Sequence, residues 1–564
     1  MLTLLAGRLV QLQGLESAWY QKMAQSNRLR TIPLTALRGS ITAANGQVLA
    51  MTVEQFTIVA DPGQMKPAQK SSVAARLAPE LGMTVAAIEA KLLHPSSPDY
   101  VVLATGVQAE TGNEIDAQVN AGLLPGIAPP QPSYTRDYSP DGNSAADVVG
   151  FTNSSGNGVF GVEEEYNKLL SGHNGSEQVQ MGVDGQPIPL AGEKSTPAVN
   201  GASIRLTIVP ALQWEAEQDC KTRVEQTRAK SCTVVVIQPK TGYILAMAQW
   251  PTYSQSDPAY PSNLAVQDVF EPGSTAKIIT AAAAFEHGGQ TPMSPYNIPY
   301  AIDEGGLLIH DAEYSAHERY TIAGIIANSS NVGMAQVATH ISAQTQYDYL
   351  RAFGLGQLTG VGLPGESPGI LHSLSQYWAS LKYTLAYGQG VSVTALQMAE
   401  VYATLANGGV HVTPTLVEGI TNASGHYTQS APGATHRVIA AKTAHELTQI
   451  LQQVPAVDQE ANQPWGIIPG YAIAMKTGTS DESGDNCPHS LCNYGSSLIG
   501  MAPGDNAQLV VAVNVQHPSK TKNDYFGDVV AGPVFYQVMK SALQEMQIPP
   551  DGARVPKVRL NAPR

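Results

Sequence analysis

The stretch Phe270-Glu-Pro-Gly-Ser-Thr-Ala-Lys-Ile-Ile-Thr-Ala-Ala-Ala-Ala-Phe285 decides how this chain is read. Pro272-Gly273 opens a helix and the alanine-rich run sustains it. Ser274 and Lys277 stand three residues apart, so they share one helix face and the amine reaches the hydroxyl. Ser274 also falls at the helix N-terminus, where exposed N–H groups favour an oxyanion. Serine is a weak nucleophile at neutral pH. A lysine serves as its base only when burial or a nearby positive charge lowers its pKa.

Outward from this helix the chain alternates between strands and helices. Pro210 to about Ala229 reads as a helix with proline in its first turn. Thr233-Val-Val-Val-Ile237, a turn at Pro239-Lys-Thr-Gly242 and Ile244-Leu-Ala-Met247 form a strand hairpin. After a long helical middle come three further strands, Tyr471–Met475, Ser497–Met501 and Gln508–Val515, and a closing helix from Val530 to Met546. Strands at both ends of a helical centre predict one sheet covered by helices and assembled from distant parts. Toward the N-terminus, from Arg38 to Asn200, short strands and turns dominate. Ile41-Thr-Ala-Ala-Asn-Gly46 before Gln47-Val-Leu-Ala50 is a hairpin signal, because Asn-Gly supplies the positive-φ positions of a tight turn. Pro62 to Leu93 is more helical, Leu123 to Ser144 is loop, and the Gly-, Pro- and Ser-rich run from Gly182 to Asn200 is the last connection before a new unit. No internal repeat is present.

Composition narrows the field. The 564 residues are enough for two or three domains. With 32 Lys and Arg against 46 Asp and Glu, the net charge is −14, which lacks the basic footprint of a nucleic-acid binder. At 43% hydrophobic residues the chain supports a core and is not disordered. The apolar start Leu2-Thr-Leu-Leu-Ala-Gly7 meets Arg8 too soon for a complete membrane span or a signal peptide, and Leu9, Val10, Leu12 and Leu15 continue a helical pattern toward Trp19. Those residues alone leave open the end of a span or an amphipathic helix.

Two motifs that accompany an active Ser-x-x-Lys are Ser-x-Asn and Lys-Thr-Gly. Each motif occurs twice: Ser274–Lys277 and Ser519-Lys-Thr-Lys522, Ser155-Gly-Asn157 and Ser329-Ser-Asn331, Lys240-Thr-Gly242 and Lys476-Thr-Gly478. The copies at 274, 329 and 476 alone give the right order downstream of a strand hairpin. The Ser519 copy sits in a Lys-rich turn, and Lys240-Thr-Gly242 reads as a hairpin turn.

On these motifs the chain resembles the penicillin-binding protein and serine β-lactamase superfamily, and more closely a class B penicillin-binding protein, a peptidoglycan D,D-transpeptidase. The resemblance extends to Arg38-Gly-Ser-Ile41, Gly161-Val-Glu-Glu-Glu-Tyr166 with Leu169 and Gly172, Tyr387-Gly-Gln-Gly-Val-Ser-Val-Thr-Ala-Leu-Gln397 and Lys476-Thr-Gly-Thr479. Val269-Phe-Glu-Pro-Gly-Ser-Thr275 and Gly182-Val-Asp-Gly-Gln-Pro-Ile188 resemble actinobacterial division-type members most. Ala43-Ala44 departs from the family, which usually has Asp-Arg before Asn-Gly, and puts a pedestal contact in doubt.

The resemblance implies an α+β multidomain fold. Its parts are an N-terminal helix over 1–34, the remnant of a membrane anchor; a mixed, mostly β pedestal (dimerisation-type) domain over 35–200; and a transpeptidase domain over 201–564. The last has an antiparallel five-stranded sheet with helices on both faces and an all-helical subdomain. The family makes Ser274 the nucleophile on the carbonyl of a penultimate D-alanine and Lys277 its base. Ser329 relays the proton to the leaving amine, and Asn331 holds Lys277 and the donor amide. Lys476 lends positive field, Thr477 and Thr479 bind the substrate carboxylate with Gly478 between them, and the Ser274 and Thr479 N–H groups form the oxyanion hole. Gly388-Gln389-Gly390 resembles a segment flanking the cleft, though a structural turn is the plainer reading. Implied partners are peptidoglycan stem peptides, β-lactams, a membrane glycan polymerase and division proteins, at the outer face of the cell membrane. No cofactor or metal is expected.

Several readings stay open. His310-Asp311 hints at acid–base chemistry, against a loop hydrogen bond. An extracytoplasmic setting favours a Cys487–Cys492 bridge over metal ligation with His489, and admits a Cys220–Cys232 bridge if the chain folds back over its helix. A β-lactamase shares the acylation half, but the class A device Glu-x-x-x-Asn is missing, since Glu366 is followed by Ile370. A D,D-carboxypeptidase shares the whole triad. A noncatalytic β-lactam sensor or division scaffold is the alternative outside enzymology.

Overall fold

The computed structural model describes residues 7, 8, 10–17, 19, 29–138, 144–180, 194–255, 261–312, 318–481, 493–519 and 525–563. In the N-terminal part, β1 (Ile41–Thr42), β2 (Val48–Ala60), β3 (Val101–Gln108) and β4 (Gln131–Tyr138) accompany α1 (Pro67–Glu80), α2 (Val85–Leu93) and α3 (Ala109–Asn120). Then come β5 (Ser203–Leu206), α4 (Pro210–Thr227), β6 (Ser231–Gln238), β7 (Tyr243–Trp250), α5 (Lys277–His287), α6 (Asn331–Ala338), α7 (Ala395–Ala406), β8 (Val410–Val412), β9 (Val417–Thr421), β10 (Tyr427–Gln429) and β11 (Thr435–Arg437). The chain closes with α8 (Val454–Glu460), β12 (Ala474–Asp481), β13 (Tyr494–Ala502), β14 (Leu509–Gln516) and α9 (Gly532–Glu545).

The antiparallel sheet expected from distant strands is present, in the order β7-β6-β14-β13-β12. Its interior strand β6 is apolar on both sides. Val234 and Val236 pack with α4 and α9, while Val235 and Ile237 face the core that contains α5 and α7. A strand covered on both faces reads as a continuous apolar run, as Thr233–Ile237 does. β12 lies at the edge, so one side of the Lys476-Thr-Gly strand is free to face a ligand.

A second sheet runs β10-β9-β5-β1-β2-β3, with β4 also paired to β2. It joins the N-terminal strands to β9 and β10 from the C-terminal half of the chain. Asn45-Gly46 makes the expected tight turn, with Gly46 at φ 86°. Ala43 is fully buried and donates its N–H to Gln47 O, and Ala44 N–H donates to Ile208 O. The departure from the family pattern thus packs as a small apolar turn.

Four expectations need correction. The N-terminal helix expected over 1–34 does not run to its end, because Leu29–Leu34 is a strand paired antiparallel with Gly175–Gln180. Residues 123–144 are not all loop, because β4 runs antiparallel to β2 from Thr57↔Gln131 to Ala50↔Tyr138. Pro132 and the polar residues argue locally against a strand, but an edge position tolerates proline and tertiary pairing decides. The strand expected at Tyr471–Met475 starts at Ala474 and runs on through the Lys-Thr-Gly motif. The short-strand reading of the N-terminal part misses β2, which is 13 residues long.

Arg38 and the Gly161–Tyr166 segment, far apart in sequence, meet in one buried network. Arg38 Nε donates to Glu163 Oε2 at 2.6 Å and Arg136 Nε to Glu163 Oε1 at 2.7 Å. Arg38 Nη1 reaches Asn167 Oδ1 at 2.8 Å and Ser171 Oγ at 2.9 Å. Burial lowers the Arg136 pKa, opposed by Glu163. Cys220 within α4 and Cys232 in β6 form a disulfide, with their Cα atoms 5.3 Å apart. Cys487 and Cys492, most of the Gly182–Asn200 connection and Leu2 to Ala6 lie outside the described residues. Among the described residues no helix is long and apolar enough to cross a membrane.

Candidate active site

Ser274 sits in a 3₁₀ turn, Gly273–Ala276, that feeds directly into α5. The fully buried Lys277 points back at it. Lys277 Nζ lies 2.8 Å from Ser274 Oγ, 2.6 Å from Ser329 O and 2.7 Å from Asn331 Oδ1. Ser329 Oγ donates to Ser274 Oγ at 2.8 Å and is 3.4 Å from Lys277 Nζ. Burial drives the Lys277 pKa well below the usual lysine value, the Lys476 charge adds to this, and Asp311 opposes it. The contact set suits a neutral amine. Its two N–H bonds satisfy Ser329 O and Asn331 Oδ1, which leaves the lone pair facing the Ser274 hydroxyl.

Ser329 takes φ 61°, a left-handed conformation uncommon outside glycine. Such strain persists only where the surroundings hold it. Here Asp311 supplies the hold: its Oδ1 accepts from Asn331 N at 2.6 Å and Val332 N at 3.0 Å, and its Oδ2 from Ser330 Oγ at 2.7 Å. Ser330 caps α6 through Gly333 N. Of the two readings of His310-Asp311, the loop hydrogen bond describes the geometry, with His310 Nδ1 2.9 Å from Asp311 O.

The Lys476 strand closes the other wall. Lys476 is 1% exposed; burial pushes its pKa down to about 8, opposed by Asp458 and Asp528. Its Nζ donates to Thr477 O at 3.1 Å, so among the described bonds it influences the Ser274 cluster through its field. Thr477 and Thr479 are half-buried, while Gly478 between them is fully buried. A Cβ on Gly478 would lie 2.7 Å from Pro272 O, and one on Gly273 would lie 2.8 Å from Thr479 O. Turn and strand therefore touch backbone to backbone, which only glycine permits. Thr479 Oγ1 accepts from Gly527 N at 3.0 Å.

Gly388-Gln389-Gly390 braces the nucleophile's turn. Gly388 O accepts from Gly273 N at 3.0 Å, and Gly390 N donates to Glu271 Oε1 at 2.8 Å. Gly388 has φ 82°, and a Cβ there would collide with Gly273 O at 2.1 Å. Tyr402 OH on α7 adds a bond to Thr275 O at 3.0 Å. Sequence reading missed Glu271, Asp311's capping role, Tyr402 and Asp458. Glu271 had a signal, as the residue next to Pro272-Gly273; the others have none short of the fold.

The remaining motif copies lie elsewhere. Ser155 and Asn157 donate their backbone N–H groups to Asn153 Oδ1 in a turn, Lys240–Gly242 joins β6 to β7, and Ser519 N–H donates to Thr227 O, with Lys520 and Lys522 outside the described residues. Glu366 accepts from Thr359 N.

Residues 232–540 match the family described as penicillin binding protein transpeptidase domain, and residues 33–206 the penicillin-binding protein dimerisation domain. The chain is 32% identical over 536 residues to penicillin-binding protein PbpB of Mycobacterium tuberculosis, covering 91% of this chain and 78% of that one. It is 30% identical over 561 residues to peptidoglycan D,D-transpeptidase FtsI of Escherichia coli K12, covering 98% and 90%. Among solved structures, penicillin binding protein 3 of Mycobacterium tuberculosis complexed with aztreonam superposes with a TM-score of 0.71 at 28% identity, over 94% of this chain and 100% of that one. The peptidoglycan synthetase of Bifidobacterium adolescentis superposes with a TM-score of 0.75 at 28% identity, over 95% and 100%. With both halves of the architecture matched in order, and with Ser274, Lys277, Ser329, Asn331 and Lys476 gathered as the fold requires, the chain belongs to the penicillin-binding protein transpeptidase family.

Proposed function

We propose that this protein is a peptidoglycan D,D-transpeptidase that crosslinks stem peptides in cell-wall synthesis through a Ser274 acyl-enzyme and is acylated by β-lactams. The observation that carries this is the buried Lys277 amine, held by two carbonyl oxygens with its third position on Ser274 Oγ. Neutral Lys277 takes the Ser274 proton as Oγ attacks the carbonyl carbon of the penultimate D-alanine. The Ser274 and Thr479 N–H groups stabilise the oxyanion, where one such donor is typically worth about 3–4 kcal/mol. The C–N bond then breaks, Ser329 relays the proton from Lys277 to the departing D-alanine amine, and the donor peptide remains as an ester on Ser274. Attack by the amine of a neighbouring stem peptide forms the crosslink and returns the proton. A β-lactam stops at the ester because its leaving group stays tethered. Thr477 and Thr479 bind the substrate carboxylate, and Asn331 binds the donor amide while holding Lys277.

Use at division is favoured by the FtsI and PbpB relatives, and a membrane glycan polymerase and division proteins are the partners that follow. We place the catalytic domain, 201–564, on its 35–200 pedestal at the outer face of the membrane, where the substrate lies and where the Cys220–Cys232 disulfide is chemically favoured. A fluorescent penicillin labels the purified protein, and Ser274→Ala abolishes the label; labelling that persists in that variant would remove Ser274 from its role. Hydrolysis of the penicilloyl ester within seconds would favour a β-lactamase instead.

A further inference from the structure

Away from the catalytic cleft, a cavity of about 500 Å³ opens between residues 348–359, α7 and the short strands β8 and β11, with the Asp348 carboxyl and the Arg351 guanidinium also in its lining. His411 in β8 and His436 in β11 line it and stand directly opposite one another in the antiparallel register. Directly opposed residues bring their Cβ atoms to roughly 4.5–5.5 Å. Here the two imidazole centroids are 4.8 Å apart. The rings differ in environment: His411 is 8% exposed, whereas His436 lies at the surface.

His411 Nε2 is 3.3 Å from Glu400 Oε1, a fully buried carboxylate on α7. An ionised Glu400 accepts from Nε2–H, and in that tautomer Nδ1 presents a bare lone pair. Nδ1 is buried and has no hydrogen-bond partner. An unpaired buried acceptor costs about 1–3 kcal/mol. A histidine that donates one nitrogen to a carboxylate and presents the other is also how proteins orient and strengthen an imidazole metal ligand. Cross-strand stacking of two rings explains neither the carboxylate behind His411 nor its unused nitrogen.

We propose that His411 and His436 form a chelating pair for a divalent transition-metal ion, Zn²⁺ being the representative case, with Glu400 as the positioning residue behind His411. With Zn–N bonds of ~2.0–2.1 Å and near-tetrahedral angles, two ligating imidazoles place their centroids about 5 Å apart, so the present pair, tilted by 35°, needs ring rotation but little translation. His436 is the movable member, since its side chain is the exposed one. Among the described residues no three His, Cys, Asp or Glu side chains converge on one point. The ion is therefore held by two protein nitrogens, with its other positions open to water or a second ligand in the cavity. Imidazole suits Zn²⁺, Cu²⁺ and Ni²⁺ and selects against Mg²⁺ and Ca²⁺. Two nitrogens are half the ligand set of a structural site, and about half of its ~10–16 kcal/mol puts the affinity in the micromolar range or weaker. The site serves no step of the acyl-transfer chemistry.

The test is a Zn²⁺ titration of the full chain after chelator treatment, read by competition with a chromophoric chelator. One site with affinity in the micromolar range or weaker is expected. His436→Gln, a surface change, should weaken it by about tenfold or more while fluorescent-penicillin labelling is unchanged. His411→Gln should do the same, with thermal unfolding checked against the wild type. In the wild type, the electron paramagnetic resonance spectrum of bound Cu²⁺ should carry hyperfine structure from two imidazole nitrogens. Absence of saturable binding, binding indifferent to His436→Gln, or loss on Cys487→Ser in its place would each overturn the proposal.

Discussion

At Lys277 a single side chain reconciles two demands: a base must be neutral, and a neutral lysine must be kept from protonation at ordinary pH. Complete burial supplies most of this and the Lys476 charge adds to it. The consequence for pH is directional. Acylation requires neutral Lys277 and so rises as pH passes upward through its depressed pKa; it requires protonated Lys476 and so falls above about pH 8. The rate of β-lactam acylation against pH should therefore be a bell with its alkaline limb near 8. In Lys476→Gln the field that helps depress Lys277 is lost, so the acid limb should move to higher pH and the maximum should fall. An unmoved acid limb would show that Lys476 does not act on Lys277. Ser274, Lys277 and their chemistry were legible in the sequence because a helical i to i+3 spacing fixes their relation locally. Asp311 was visible as an acid–base hint or a loop hydrogen bond but not as the anchor of Ser329, since its three acceptor bonds reach residues 330–332, about twenty positions away.

Among the elements, the site is a junction of three pieces that only backbone contact can join: the Gly273–Ala276 turn, β12 and the Gly388–Gly390 segment. Gly388→Ala adds a Cβ where Gly273 O already stands, on a residue with φ 82°. The turn that carries Ser274 should shift, and β-lactam acylation should slow by about 10²-fold, the scale expected for a misplacement of about 1 Å. A lowered melting temperature together with slow acylation is the expected pair of readings; unchanged acylation would argue that the segment does not set the turn. Asp311→Ala removes the anchor of the strained Ser329. Acylation should fall while any remaining label still depends on Ser274, and a wild-type rate would show that the α6 start holds its shape unaided. The strands of the catalytic sheet were readable from apolar runs bounded by turns. β4 was not, because its polar residues and Pro132 carry a loop signature and its pairing with β2 is a tertiary fact.

For the whole molecule, the sequence suggested a boundary near residue 200, and the family matches fall on either side of it, at 33–206 and 232–540. What composition does not reveal is that β5, β9 and β10 continue the sheet of β1, β2 and β3, so hydrogen bonds run between the N-terminal and catalytic parts. Glu163 is the hub of the N-terminal network and is fully buried. Glu163→Ala leaves Arg38 and Arg136 buried without their carboxylate, a loss of about 3–5 kcal/mol for a broken buried pair. A lowered first melting transition is expected, and an unchanged one would mean that the network adds nothing to stability. The Arg38 and Gly161–Tyr166 motifs were each visible in sequence, while their meeting was not.

The central claim is that Ser274 transfers a stem peptide to an amine. The direct measurement incubates lipid-linked peptidoglycan precursor with a glycan polymerase and this protein, then scores crosslinked dimers against free D-alanine. Crosslinked dimers that appear with the wild type and vanish with Ser274→Ala are the predicted result. Release of D-alanine without dimers, or dimers that persist with Ser274→Ala, would contradict it.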